Sequence, residues 1–369
     1  MFPYCDADAT ELGVGFTRFR LHNFRNLRDG SVNVDGPEVF LVGQNGQGKS
    51  NFLEAVYLVS YGTSFRTNKD EELCTIDHDE MAVVAWTSRA DESDVAVYFQ
   101  DKKKRIEIDE KIIRDRKDLI YNVPCIVFCH GDMAFVSGSP DMQRFFFDQT
   151  LTLHDTEYLE LLRRYRKTLK LRNISLKERR YDLLEVYTEH LAETGIRVQE
   201  ARAKLVDEFS LSFCELYRNV SGVSSSLSIR YRPSWRSART SSDVLEIMRE
   251  KDDADRVYGT TTTGPHRDRF VFHHDNTEFM KIASTGQIRL AALALRVAQA
   301  RFFSLRRRRK PVLLLDDVLL ELDATKRLRF FENLPEYDQA FFTFLPNEPF
   351  HEYRKNDTIV YTVTDGKIE

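Results

Sequence analysis

Eight consecutive residues have the types and the spacing of a loop that binds nucleotide phosphates. They fit Gly-x-x-x-x-Gly-Lys-Ser and are Gly43, Gln44, Asn45, Gly46, Gln47, Gly48, Lys49 and Ser50. Glycines let backbone N–H groups turn inward around phosphate oxygens, and a helix that begins at the loop adds its positive N-terminal end. In this pattern the lysine reaches the β- and γ-phosphates, and the serine hydroxyl faces Mg²⁺. We therefore expect ATP as the ligand of the whole loop, with Ser50 as a metal ligand.

A second candidate element lies near the other end of the chain. Pro311 is followed by the apolar run 312–315 and then by Asp316 and Asp317. A buried strand that delivers a carboxylate at its end is how such nucleotide sites hold Mg²⁺ beside the phosphates. We expect Asp316 to be the metal ligand and Asp317 to be the catalytic residue that orients or deprotonates the attacking water. If both elements serve one site, the middle of the chain is an insertion.

A short Ser/Gly segment upstream of Asp316 is a third candidate. Ser284 can cap the helix that follows it, and the free N–H groups there can bind an anion. We interpret Ser284, Gly286 and Gln287 as an ABC-type signature, which contacts the nucleotide held by a second subunit; a plain helix cap is the alternative. Thr285 replaces the first glycine of the usual Ser-Gly-Gly-Gln. The segment 321–323 resembles the interface loop of the same class.

The pattern of apolar residues predicts an α/β protein. Strands are predicted at 16–42, in a meander at 81–113 and at 226–231, 269–273, 312–315, 339–344 and 358–363, with a helix after the phosphate loop at 49–62. Helical periodicity dominates from Pro140 to Asn219 and returns at 287–303 and 324–334. We predict an ABC-type ATPase head, with a mixed sheet around the phosphate loop, plus an inserted mainly helical domain. The predicted boundaries are a tail at 1–15, the head at 16–135 and 226–369, and the insertion at 136–225.

Composition and the first residues of the chain indicate the cellular location that we expect for the protein. No apolar stretch is long enough to span a membrane, and the first 15 residues lack the basic and apolar regions of a secretory signal. The five cysteines are odd in number and contain no Cys-x-x-Cys pair, which favours free thiols and a cytoplasmic location.

DNA binding would require local patches, because the formal net charge is −4. Solvated faces or linkers are the alternative for each basic cluster. The candidate clusters are Arg163, Arg164, Arg166, Lys167, Lys170 and Arg172 on one helix, the run Arg306–Lys310, and the run Lys102–Arg105.

From about Phe16 to Gly366 the chain resembles the RecF family of bacterial recombinational-repair ATPases. The matching residues are Asn23-Phe-Arg-Asn26, Leu41–Ser50, Ser64-Phe-Arg66, Tyr165, Arg172-Asn173, Gly264-Pro-His-Arg267, Gly286-Gln287 and Asp316-Asp317. The resemblance implies an ATP-dependent homodimer on single-stranded or gapped duplex DNA. It also implies a role in DNA replication, repair and the SOS response, with recombinase loading beside RecO- and RecR-like partners.

Four other interpretations can be compared with this one. An ABC transporter subunit fits the motifs less well, because its two nucleotide elements are normally much closer in sequence. An SMC-type chromosome protein does not fit, because the insertion here is too short for a long coiled coil. A small-molecule kinase would make the signature a coincidence. A nucleotide-gated scaffold without turnover is favoured by two features. An ABC ATPase often has a switch histidine after the strand at 339–344, where this chain has Thr343 and no histidine, and Asp317 is one methylene shorter than the usual glutamate. If the head does hydrolyse ATP, we expect it to do so slowly.

Overall fold

The computed structural model describes residues 15–88, 93–115, 117–223, 226–319 and 322–369. The chain folds into two compact units. The first comprises Met1–His130, Arg308–Leu322 and Pro335–Glu369, and the second comprises Gly131–Arg307 and Asp323–Leu334. Both predicted nucleotide elements therefore belong to the first unit, although they come from opposite ends of the chain. The predicted tail lies almost entirely outside the described residues.

The strands and helices are numbered in chain order. The strands are β1 (Phe16–His22), β2 (Gly30–Asn33), β3 (Glu38–Val42), β4 (Met81–Thr87), β5 (Ser93–Gln100), β6 (Lys103–Ile108), β7 (Lys111–Ile112), β8 (Cys125–Phe128), β9 (Leu227–Arg232), β10 (Arg269–His274), β11 (Thr277–Glu278), β12 (Val312–Leu315), β13 (Gln339–Phe344), β14 (Thr358–Thr364) and β15 (Lys367–Ile368). The helices are α1 (Lys49–Tyr61), α2 (Lys117–Ile120), α3 (Ala134–Ser137), α4 (Pro140–Thr152), α5 (Thr156–Lys177), α6 (Leu184–Ser221), α7 (Ser241–Glu250), α8 (Asp252–Tyr258), α9 (Thr285–Arg307) and α10 (Ala324–Asn333).

A mixed sheet forms the centre of the first unit. Its strand order is β15-β14-β3-β13-β12-β8, and the five strands from β14 to β8 are parallel. Every residue of β3, β8, β12 and β13 is buried, which explains why these strands appear in the sequence as short, mostly apolar runs. Because parallel strands end at the same edge, the phosphate loop after β3 and the aspartates after β12 share one edge of the sheet.

An antiparallel sheet, β2-β1-β4-β5-β6-β7, is the other sheet described in the first unit. The buried side chain of Gln339 ties it to the mixed sheet. Its Oε1 accepts a hydrogen bond from the Phe16 N–H at 2.8 Å, and its Nε2 donates to the carbonyls of Phe16 at 2.9 Å and Val34 at 2.6 Å. A buried amide is tolerated in this core because its hydrogen-bonding groups are used.

The second unit is mainly helical. Helix α6 packs against α5, α7, α9, α10 and strand β9, and β9 belongs to the sheet β11-β10-β9. Leu191, Val198 and Leu205 recur every seven residues on α6 and are buried. Helix α7 was absent from the sequence prediction although Thr240 and Asp243 form a reciprocal capping box at its start.

The two units divide the chain differently from the predicted boundaries. Residues 226–307 were assigned to the head, but they lie in the second unit because β9 pairs with β10 and both β9 and α9 pack on α6. Helix α10 joins the same unit through its packing on α6. Within the described ranges, no helix is both long and apolar enough to cross a membrane.

Candidate functional site

The loop between β3 and α1 has a backbone that glycine alone adopts readily. Gly46 has φ of 79° and Gly48 has φ of 118°, both in the left-handed region. A Cβ at Gly43 would lie 2.4 Å from the Val363 carbonyl oxygen, so any larger residue would displace strand β14. The glycines of the motif therefore shape the loop before any ligand is considered.

Lys49 folds back into this loop. Its side chain is 3% exposed, and its Nζ donates hydrogen bonds to the carbonyl oxygens of Gly43 at 2.7 Å and Gln44 at 3.0 Å. Among the described residues, no carboxylate lies within ion-pair distance of this ammonium group. A buried cation held by carbonyl groups alone is well suited to receive an anionic ligand.

Ser50 and Asp316 bring the two ends of the chain together. The Ser50 hydroxyl donates a hydrogen bond to Asp316 Oδ1 at 2.6 Å. Burial of the Asp316 carboxyl raises its pKa to about 6, and the neighbouring Asp317 carboxylate adds to the increase. The Ser50 hydrogen bond and the charges of Arg66 and Lys49 oppose the increase without cancelling it. The pair presents oxygen donors, the type of ligand that Mg²⁺ prefers.

Asp317 has an uncommon backbone conformation for a non-glycine residue, with φ of 52°. Its N–H donates to the Thr343 hydroxyl at 2.8 Å, and that hydroxyl donates to Asp317 Oδ1 at 2.9 Å. The predicted catalytic carboxylate thus lies next to the predicted metal ligand, and it has a defined partner on β13.

The remaining residues of the loop differ in their hydrogen-bond partners and in their exposure. The Asn26 amide donates to the Gly46 carbonyl at 3.0 Å. Gln47 accepts hydrogen bonds from the backbone, from Asp365 N–H at its side chain (2.6 Å) and from Gly366 N–H at its carbonyl (3.0 Å). Gln44 and Asn45 are exposed. Gln47 is therefore held from behind by the turn after β14.

Sequence reasoning missed a buried carboxylate on α1. Glu54 is fully buried, and it accepts hydrogen bonds from the Arg25 guanidinium at 2.8 and 2.9 Å and from the Ser64 hydroxyl at 2.5 Å. Arg66 approaches the same carboxylate at 3.4 Å and donates to Asn51 at 2.5 Å. The two motifs around Arg25 and Arg66 therefore converge on α1 just behind the loop. A glutamate on the apolar side of a predicted helix was the signal in the sequence.

The signature segment lies in the second unit. The Ser284 N–H donates to Gln287 Oε1 at 2.8 Å, and the Gln287 N–H donates to Ser284 Oγ at 3.3 Å, which is a reciprocal capping box. Ser284 and Gly286 are exposed. The helix-cap alternative thus has a structural basis, while a contact to a second subunit remains a prediction. In the interface-loop segment, Glu321 lies outside the described residues, and Asp323 caps α10 through the Lys326 N–H.

The basic clusters separate into structural and exposed cations. Arg172, one of the candidates on α5, is not available to DNA, because its side chain is 1% exposed and pairs with Asp255 at 2.7 Å. Lys104 pairs with Asp70, and Arg306 pairs with Glu208. Lys167 and Lys170, by contrast, are exposed on α5.

The segment Gly264-Pro-His-Arg267, which contributed to the resemblance, lies in a polar network of the second unit. His266 Nδ1 is 2.7 Å from the Tyr165 hydroxyl, and Nε2 is 3.0 Å from the Thr261 carbonyl oxygen. Burial lowers the pKa of His266 to about 4, so the ring is neutral near pH 7. A neutral imidazole fits both contacts by accepting at Nδ1 and donating from Nε2. The histidine fastens this loop to α5.

The raised pKa of Asp316 gives a testable pH dependence. An aspartate in an unfolded chain has a pKa of about 3.9, so between pH ~4 and ~6 the folded protein keeps a proton that the unfolded chain releases. The associated stability is present at low pH and is lost as the pH rises through about 6. Asp316→Asn should therefore be more stable than the parent at pH 7.5, by on the order of 2 kcal/mol in the free energy of unfolding, and should unfold at a higher temperature. This difference should shrink at pH 5.

Thermal unfolding without nucleotide or Mg²⁺ at pH 5, 6 and 7.5 measures this difference. Asp35→Asn, at an exposed loop position, is the charge-matched control and should show no pH-dependent gain. A gain in Asp316→Asn that is constant across the pH range would contradict the raised pKa.

Known proteins resemble the chain over almost its whole length. The model of the RecF/RecN/SMC N terminal domain family matches residues 16–368. The DNA replication and repair protein RecF of Treponema pallidum (strain Nichols) is 41% identical over 346 residues, which cover 93% of this chain and 98% of that relative. The RecF protein of Halothermothrix orenii is 32% identical over 366 residues, covering 95% and 97%.

A solved structure agrees with these relatives. The recombination mediator protein RecF with ATP, described as part of the RecFOR pathway, superimposes with a TM-score of 0.87 at 26% identity and covers 99% of each chain. The predicted ABC-type head and the predicted resemblance are both confirmed. The chain belongs to the RecF family of DNA replication and repair proteins.

Proposed function

We propose that this protein binds ATP with Mg²⁺ at the β3–α1 loop and hydrolyses it slowly to control a DNA-bound homodimer. The observation that carries the proposal is the 2.6 Å hydrogen bond between Ser50 and Asp316. The bond joins the serine of the loop to the carboxylate at the end of a buried strand, and this pairing supports an Mg²⁺-nucleotide site.

Each residue of the loop has a distinct task in this proposal. The backbone N–H groups from Gly43 to Ser50 surround the phosphates, and the start of α1 adds its positive end. Lys49 exchanges its two carbonyl partners for phosphate oxygens. Ser50 and Asp316 hold Mg²⁺, which when bound neutralises the charge that develops on the phosphates.

Asp317 is the proposed general base. It follows Asp316 directly and has a carboxylate fixed by Thr343, so it can orient or deprotonate a water beside the terminal phosphate. A nucleotide-gated scaffold without turnover remains the second candidate. It is favoured by the sequence, which has Thr343 and no histidine near the end of β13, after which an ABC ATPase often has a switch histidine.

The wider role is supported by the relatives. A solved RecF structure is described with ATP and in the RecFOR pathway, and the curated relatives are called DNA replication and repair proteins. We propose that this chain acts with RecO- and RecR-like proteins to help load a recombinase at single-stranded or gapped duplex DNA. We further propose a cytoplasmic location, supported by the free thiols of Cys74, Cys125 and Cys214. An ABC-type ATPase subunit of another system is less favoured by these relatives.

The exposed face of α5 is the proposed DNA contact in the second unit. Tyr158, Leu162 and Tyr165 bury one side of the helix, whereas Lys167 and Lys170 are exposed and have no acidic partner among the described residues. Arg163 and Arg166 are also exposed, but they pair with Glu160 and Asp148 respectively. Lysines without acidic partners can neutralise phosphates and release counterions, which gives binding without sequence preference.

Asp317→Asn and Asp316→Asn should have different consequences. Asp317→Asn keeps the size and hydrogen bonding of the side chain but loses the base, so ATP should bind nearly as in the parent while turnover falls by about 10²–10⁴. The ATP-bound dimer on DNA should then live longer. Asp316→Asn should lose Mg²⁺-dependent binding and the dimer together. Phosphate release and nucleotide titration distinguish the two variants; identical behaviour would show that both acids serve the metal.

Lys167→Glu/Lys170→Glu should weaken DNA binding. If each lysine contacts one phosphate, the slope of log K against log salt concentration should become shallower by about 2 for duplex DNA. Fluorescence anisotropy with a gapped duplex over a range of salt concentrations measures this slope. Lys204→Glu/Lys251→Glu, two exposed positions in the same unit, is the charge-matched control. Equal loss in both double variants would mean that only net charge matters.

Ser284→Arg should bind ATP like the parent and yet fail to dimerise. The proposed signature acts on the nucleotide of the second subunit, so its own phosphate loop is untouched. Light scattering after size-exclusion chromatography, with ATP and with ADP, gives the mass. Ser139→Arg, which changes the N-cap of α4, is the matched control and should still dimerise. Mixing Ser284→Arg with Lys49→Ala should restore one composite site at most. If Ser284→Arg alone dimerises with ATP as fully as the parent, the segment 284–287 acts only as a helix cap.

A further inference from the structure

The Thr343 hydroxyl is a polar group in a strand that is otherwise almost entirely apolar. All six residues of β13 are buried, and only Gln339 and Thr343 carry polar side-chain groups. Gln339 uses its amide to hold β1, as described above. A buried hydroxyl costs free energy unless it is hydrogen-bonded, so the partner of Thr343 indicates what the residue does.

That partner is Asp317, through both its backbone and its side chain. The Thr343 hydroxyl accepts from the Asp317 N–H at 2.8 Å and donates to Asp317 Oδ1 at 2.9 Å. A hydroxyl has one proton to donate, and the competing acceptor, the Leu315 carbonyl, is farther away at 3.4 Å. The two bonds fix Asp317 in its left-handed backbone conformation and also orient its carboxylate.

The sheet fixes the position of Thr343 relative to both nucleotide elements. In the parallel register, Thr343 pairs with Leu41 on β3, and the preceding Phe342 pairs with Leu315 on β12. Strand β13 therefore lies between the strand that leads to the phosphate loop and the strand that leads to the aspartates. Thr343 is therefore part of the sheet and belongs to neither loop.

We propose that Thr343 is a positioning residue for Asp317, holding its carboxylate at the sheet edge where Ser50 and Asp316 meet. The inference rests on the proposed hydrolytic function and adds a residue to it. Thr343 takes part through the Asp317 backbone and carboxylate and does not itself touch the phosphates.

Thr343→Val tests the proposal because it removes the hydroxyl and keeps the branched shape. One lost hydrogen bond to a carboxylate should lower kcat for ATP about tenfold or more, with KM for ATP unchanged. Thr343→Ser keeps the hydroxyl and should stay close to the parent. In an Asp317→Asn background, Thr343→Val should cause no further loss, since the residue acts through Asp317. A parent-like kcat in Thr343→Val, or an equal further loss in the Asp317→Asn background, would overturn the proposal.

A second readout does not require nucleotide. The Asp317 amide donates to a buried hydroxyl, so its hydrogen exchange should speed up in Thr343→Val and stay slow in Thr343→Ser. Unchanged exchange in Thr343→Val would overturn the contact itself. If the amide loses protection but the parent hydrolyses ATP no faster than Lys49→Ala, the hydrolytic function is wrong, and the positioning role falls with it. Parent-like turnover of Thr343→Val in a protein that does hydrolyse ATP would contradict the positioning role alone.

Discussion

Strand β13 is the element on which the candidate site depends. It pairs in parallel with β3 on one side and with β12 on the other, so the residues that follow those two strands emerge together at one edge. The hydrogen bond between Ser50 and Asp316 is a consequence of this placement. Without β13 between them, β3 and β12 would not be held side by side, and the phosphate loop and the two aspartates would not be held close together. The insertion of the second unit between them in sequence is possible because the sheet, and not chain proximity, brings them together.

Buried polar groups give the site its specific shape. Lys49, Glu54 and Asp316 are all buried or nearly so in the first unit, and each would be costly to bury without partners. Arg25 and Ser64 compensate Glu54 by hydrogen bonding, whereas Lys49 has only carbonyl partners within the described part of the chain and Asp316 has a raised pKa. The uncompensated groups are the ones proposed to meet phosphates and metal, and the compensated group braces the helix behind them. Incompletely satisfied buried polar groups are typical of functional sites.

Much of the site could be predicted from residue type and spacing. The glycine spacing, the lysine that follows it and an acid after an apolar strand are local patterns, so Gly43–Ser50, Asp316 and Asp317 were candidates from the sequence, and the structure brings Ser50 and Asp316 into contact. The division into units could not be predicted in the same way. Strands β9 and β10 join α6 through pairing and packing between distant residues, and no local pattern encodes that choice. The burial of Arg172 could not be predicted for a similar reason, because its partner Asp255 lies on a helix that the periodicity did not indicate.

The central claim is that both ends of the chain form one Mg²⁺-nucleotide site. Titration calorimetry with ATP, with Mg²⁺ and with EDTA, tests it most directly in the parent and in Lys49→Ala. The account predicts binding in the parent that weakens strongly when Mg²⁺ is removed, and no detectable binding in Lys49→Ala, whose thermal unfolding should match that of the parent. Undiminished ATP affinity in a folded Lys49→Ala would contradict the account.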